Sequence, residues 1–131
     1  LIRRSTREYL ILKELLEPSE VVGVELVERR LGGAKWLGTA HAYATDHRII
    51  IIRRYVLGLH KSLKIIKYAD ITEVKVERGL LYCRIHFALV GETEEYGQSK
   101  KWFLGIKYKE ALEIIRYIDR MQAKPVTISR P

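Results

Sequence analysis

Cysteine is almost absent: Cys83 is the only one in 131 residues, so no disulfide can close within the chain. The common zinc patterns also lack their thiolates, and His41, His47, His60 and His86 stand apart rather than at paired ligand spacings. No metal and no cofactor is expected. Apolar runs stop at about four residues, as in Ile49 to Ile52, far short of the ~18 a membrane-spanning helix needs. There is no glycine-rich phosphate cradle and no nucleophile motif, and pairing Asp46 with His47, or His86 with a serine, is as near as the chain comes to a catalytic dyad. An enzyme is therefore not expected. Asparagine is missing altogether and glutamine is limited to Gln98 and Gln122, a bias that either resembles thermophile composition or arises by chance in a short chain. The lone cysteine and the polar start Arg3-Arg4-Ser5-Thr6-Arg7 point to a reducing, cytoplasmic setting, peripheral to the membrane at most. Leu1 stands where an initiator methionine would, which leaves open a longer chain with a further domain.

What is present in excess is positive charge, +8 overall, and its placement is uneven. Residues 1–45 are nearly balanced, with seven Lys/Arg against six acids. Between Asp46 and Asp70 lie Arg48, Arg53, Arg54, Lys61, Lys64 and Lys67 with no acid among them. Residues 98–131 add eight cations against three acids, whereas 71–97 turn slightly acidic through Glu92, Glu94 and Glu95.

The hydrophobic pattern predicts one domain over 1–131: an N-terminal helix at about 6–16, a run of strands at about 20–104 and a C-terminal helix at about 107–122. Ser5-Thr6-Arg7-Glu8 reads as a capping box, Tyr9, Leu12, Leu15 and Leu16 form a helical stripe, and Pro18 ends it. From Val21 the period becomes two, with Val22, Val24 and Leu26 on one face. Strands follow at Thr39–Thr45, Arg48–Arg53 and Leu63–Ile66, the second a β-branched run suited to burial. Thr72–Arg78 alternates Val74 and Val76 inward against Glu73, Lys75 and Glu77. After Gly79, residues Leu81, Cys83, Ile85, Phe87 and Leu89 are expected inward, with Tyr82, Arg84 and His86 outward, where cations would meet the glutamates of the preceding strand. A seventh strand is expected near Lys100–Leu104, and the last helix presents Ala111, Ile114, Ile115, Ile118 and Met121 to the sheet.

Seven short strands followed by one amphipathic helix is the element order of the pleckstrin-homology superfold. Four strings in order carry a closer resemblance: Leu15-Leu16-Glu17-Pro18-Ser19-Glu20, Ala44-Thr45-Asp46-His47-Arg48-Ile49-Ile50, Tyr68-Ala69-Asp70-Ile71-Thr72-Glu73-Val74 and Glu77-Arg78-Gly79-Leu80-Leu81. Over about residues 12–122 the chain resembles the prokaryotic (bacterial and archaeal) pleckstrin-homology-like domains. The resemblance implies a mainly β fold, a seven-stranded antiparallel bent sheet or barrel capped by the C-terminal helix.

It also implies an open mouth formed by the loops after strands one, three and six, here 29–36, 53–61 and 91–99. The candidate anion-binding residues are Arg29, Arg30, Lys35, Arg53, Arg54 and Lys61, with Trp36 as an interfacial anchor; the competing reading is a solvated basic surface. The phosphoinositide signature of the superfold is missing, because Trp36-Leu37-Gly38-Thr39 follows Lys35, and Glu92, Glu94 and Glu95 approach the same mouth. Thr45-Asp46-His47-Arg48 is read as turn chemistry. The expected function is a non-catalytic binding or assembly module that contacts a protein partner or an anionic membrane surface through this mouth or a sheet edge, homo-oligomerisation included. Nucleic-acid binding is the alternative, motivated by the basic surface and by Lys100-Lys101-Trp102-Phe103.

Overall fold

A computed structural model describes residues 7–28, 40–54, 61–91 and 102–123. Helix α1 (Arg7–Leu15) makes its last turn through the Leu16 amide, which donates to Leu12 O at 3.0 Å, and Pro18 follows where an amide donor is no longer needed. Strands β1 (Val22–Val27), β2 (Ala40–Thr45), β3 (Arg48–Arg54) and β4 (Lys61–Lys67) pair in that order as one antiparallel sheet. A short 3-10 helix, Tyr68–Asp70, turns the chain into β5 (Ile71–Arg78), β6 (Cys83–Leu89) and β7 (Trp102–Ile106), a second antiparallel sheet. Helix α2 (Tyr108–Ala123) closes the order. The expected strands and both helices are thus present, distributed over two sheets.

The central strands β2 and β3 are covered on both faces, which explains why they show little alternation in polarity, whereas the outer face of β4 leaves Leu63 and Ile65 exposed. Inward, Ala42, Ala44, Ile49 and Ile66 join Ile85 and Phe87 of the second sheet and Ala111, Ile114 and Ile118 of α2 in one cluster. Outward, Tyr43, Ile50 and Ile52 are covered by Leu12, with Tyr9, Ile11, Leu15 and Leu16 at the margin. The α1 stripe therefore has its own core. A continuous apolar run suits a strand covered on both sides, as in sheets with helices on their faces.

Two glycines mark irregularities in the ladders. The register between β1 and β2 slips between Val22 and Val24, and a β-carbon on the intervening Gly23 would overlap the phenol ring of Tyr117 on α2. Gly105 takes φ 75° where the β6–β7 register shifts, a bulge that a residue with a side chain would strain. The bulge carries β7 beyond the expected end at Leu104 and delivers Ile106, fully buried, opposite Cys83.

Three orientations differ from expectation. Leu81 is 64% exposed because the β5–β6 turn, closed by the Gly79 amide donating to Tyr82 O at 2.9 Å, runs on until Cys83. His86, expected outward, is buried on the central strand between Lys75 of β5 and Trp102 of β7. On α2 the fully buried isoleucine is Ile114, with Ile118 beside it, while Ile115 lies only half-buried at the cluster edge. Arg84 does lie opposite Glu77 and pairs with it.

Candidate functional site

The ends of β1 and β3 and the beginnings of β2 and β4 share one side of the first sheet. Val27 pairs with His41, Ala40 with Arg53, and Arg54 with Lys61, so three of the expected cations, Arg53, Arg54 and Lys61, come together on this rim. Arg29, Arg30, Lys35 and Trp36 lie outside the described residues, as do Glu92, Glu94 and Glu95; the chain heads toward Arg29 from the same rim.

Arg53 is already engaged. Its Nη1 donates to Glu28 Oε1 at 2.9 Å and its Nη2 reaches Oε2 at 3.3 Å. The Glu28 side chain is fully buried, accepts a further bond from the Ala40 amide at 3.2 Å, and its own amide donates to Ala40 O at 2.9 Å. A two-point guanidinium–carboxylate contact of this kind fixes geometry as well as charge. Arg53 therefore closes the end of the β1–β2 ladder, and the positive charge it brings to the rim is offset by Glu28. The sequence offered little signal for this pair: Glu28 directly precedes Arg29 and Arg30, so its carboxylate is already balanced locally and nothing points to Arg53.

At the opposite side of the sheet the Thr45-Asp46-His47-Arg48 turn is built in the same way. Arg48 donates from Nε to Glu20 Oε2 and from Nη2 to Glu20 Oε1, both at 3.0 Å, and Nη2 also reaches Leu15 O at 2.7 Å. Thr45 gives its hydroxyl proton to Glu20 Oε2 at 2.6 Å and accepts from the amides of His47 and Arg48, each at 3.0 Å. Asp46 Oδ1 accepts from the Val21 amide at 3.0 Å and lies 2.8 Å from His47 Nδ1. Burial alone would raise the Glu20 carboxyl, but hydrogen bonds from Arg48, Thr45 and the Glu17 amide outweigh it and hold the group down at about 2. The Val21 amide, and secondarily His47, hold Asp46 below its ordinary value against the opposing effect of burial. Tyr68 donates its phenol proton to Thr45 O at 2.5 Å, and burial, then the negative potential of Tyr117, Asp46 and Glu20, keeps that proton in place well above the ordinary tyrosine range. Thr45, Asp46 and Arg48 thus tie the turn to the chain between Leu15 and Val21, while the half-exposed His47 ring meets Asp46.

Among the described residues no three His, Cys, Asp or Glu side chains gather as a metal set, and no helix is long and apolar enough to cross a membrane. Gln122 completes the corner by donating to Tyr68 O at 2.9 Å and Ile71 O at 3.1 Å, which seats the end of α2 where the two sheets meet.

Residues 24–120 match the family model described as "Bacterial PH domain". The chain belongs to the bacterial PH domain family. Two crystal structures share the fold of this PH domain. One is a DUF1696 family protein with a pleckstrin-homology domain from Shewanella loihica PV-4, 16% identical, covering 87% of this chain and 89% of its own, with a TM-score of 0.58. The other is a pleckstrin homology domain from Shewanella amazonensis SB2B, 17% identical, covering 88% of this chain and 85% of its own, with a TM-score of 0.59. No curated protein matches the chain. At such identities the likeness shows the fold, and a PH fold by itself does not name a ligand.

Proposed function

We propose that this PH domain is a non-catalytic binding module whose basic rim contacts an anionic membrane surface or a protein partner. The observation that carries the reading is the pairing of Arg54 with Lys61 at one end of the first sheet, beside the Arg53–Glu28 pair and at the side from which the chain continues to Arg29 and Arg30. Thr45, Asp46 and Arg48 of the opposite corner bond to the fold, which supports the rim as the candidate surface.

The test is a salt titration of the protein against anionic and neutral vesicles, with RNA and DNA as further polyanions. Each free cation near an anionic membrane contributes about 1 kcal/mol, so three or four give weak, salt-sensitive binding. Arg53 must be spared, because its loss would strand the buried Glu28 carboxylate and confuse misfolding with lost affinity. Replacing Arg29, Arg30, Arg54 and Lys61 with Ser should sharply weaken vesicle binding and its salt dependence, and replacing Glu92, Glu94 and Glu95 with Gln should strengthen it. Vesicle binding that ignores salt, or survives the four replacements, counts against a membrane role for the rim.

A further inference from the structure

The β5–β6 turn carries an apolar protrusion that the rim does not explain. Leu80 is 99% exposed, which means that it touches almost nothing of its own protein, and Leu81 beside it is 64% exposed. The turn has a firm base: Arg78 pairs with Cys83 at the head of the ladder, and the Gly79 amide donates to Tyr82 O at 2.9 Å. The Arg78 guanidinium lies 4.0 Å above the ring of Tyr108, itself 40% exposed, which places the start of α2 beside the tip. Lys107 and Lys109 flank Tyr108 and are exposed. Arg84 pairs with Glu77, and Glu110 turns back to accept from the Lys107 amide at 2.9 Å. Four cations therefore stand against two carboxylates around two bare leucines.

We infer that this tip is a lipid-inserting element: Leu80 and Leu81 enter the interfacial zone of an anionic bilayer, while Arg78, Lys107 and Lys109 meet the headgroups and Tyr108 sits at headgroup level. The inference rests on the membrane arm of the proposed function and adds a second contact to it, on the other sheet. β4 ends and β5 begins at the Tyr68–Asp70 corner, so rim and tip lie at the far ends of the two strands that meet there. A lipid surface fits the tip better than a protein does. A stable protein interface needs about 800 Å² on each partner with matched shape, which two leucines on a convex turn do not offer. A bilayer needs no matched pocket; it takes apolar side chains in depth and rewards a collar of cations and an amphipathic ring.

The experiment is vesicle co-sedimentation of the full chain with phosphatidylcholine alone and with about one-third phosphatidylserine, at about 0.1 M and about 0.5 M salt. Four proteins are compared: the parent, Leu80→Ser with Leu81→Ser, Leu80→Phe with Leu81→Phe, and the Arg29, Arg30, Arg54 and Lys61 to Ser variant. Circular dichroism checks that each is folded, and the exposed tip positions carry no core contact to lose. The serine pair should weaken binding to the anionic vesicles about tenfold or more, most visibly at high salt where insertion outlasts charge attraction, and the phenylalanine pair should restore it. A serine pair that binds within about twofold of the parent, a phenylalanine pair that fails to restore binding, or a parent that binds no anionic vesicle overturns the inference. The rim is judged separately by its own variant: rim loss with an intact serine pair supports the rim and rejects the tip, and the reverse pattern rejects the membrane role of the rim while supporting the tip. A parent that binds no vesicle leaves the rim only its protein-partner arm.

Discussion

Glu20 and Glu28 each exchange hydration for an arginine and a backbone amide, and the two arginines come from opposite ends of the same strand, β3. Burying a carboxylate is costly unless its lone pairs are met, and here Arg48, Thr45 and the Glu17 amide all meet Glu20. The consequence is a pH dependence of known sign. Glu20 is held down at about 2 in the folded protein, against 4.5 for an ordinary glutamate. Its contribution to stability is therefore complete above about pH 4.5 and is lost as pH falls toward about 2, an amount on the order of 3 kcal/mol. Glu20→Gln removes the titrating charge while nearly preserving shape. Denaturant unfolding at pH 7 should show the variant less stable, and the gap should narrow between pH 4.5 and pH 2 as the parent loses what the variant never had. Parallel curves for the two proteins over that window would place the acid sensitivity elsewhere.

The elements differ in how openly the sequence declares them. The alternation of Val74 and Val76 with Glu73, Lys75 and Glu77 gives β5 its bounds to within a residue, because one face is wet and the other dry. β7 was cut short at Leu104, since a glycine in a strand reads as an end and only the positive φ of Gly105 reveals a bulge. Leu81 and His86 depart from the pattern for related reasons: periodicity counts residues but does not see a turn that runs two residues longer, or a single outward position on a central strand that its neighbours cover. Helix α2 shows the same limit at finer grain. Its stripe includes Ile114, Ile115 and Ile118 alike, and only packing separates Ile114, fully buried, from Ile115 at the margin. Ile114→Ala should cost about 2–5 kcal/mol of unfolding free energy, whereas Ile115→Ala should cost about half as much. Equal losses would mean that α2 is rotated about its axis from the orientation described.

For the whole molecule, the candidate residues were legible as charge but not as geometry: the acid-free stretch from His47 to Ala69 puts Arg48, Arg53, Arg54 and Lys61 forward alike, yet nothing in the pattern says that Arg53 faces Glu28 and Arg48 faces Glu20 across more than twenty residues of chain. Those long-range pairs hold together a fold in which the described residues form two apolar clusters of unequal size. The larger lies between the sheets and under α2, and the smaller lies between α1 and the outer face of β2 and β3. Helix α1 is bound by Leu12, its partly buried neighbours and the bond from Arg48 to Leu15 O, but no strand ladder runs through it. It can therefore detach while the seven strands stay paired, a local opening that costs less than global unfolding. Native-state hydrogen exchange should show the α1 amides less protected than those of β3 or of α2, and Leu12→Ala should lower α1 protection further while leaving the ranking of the strands intact. Acidification supplies the check on the linkage: as pH falls toward about 2 and Glu20 takes up its proton in the folded protein, Arg48 loses its charged partner and α1 should loosen before α2 does. Exchange of α1 and α2 at one common free energy, at neutral and at acid pH, would mean that the two clusters open as a single unit.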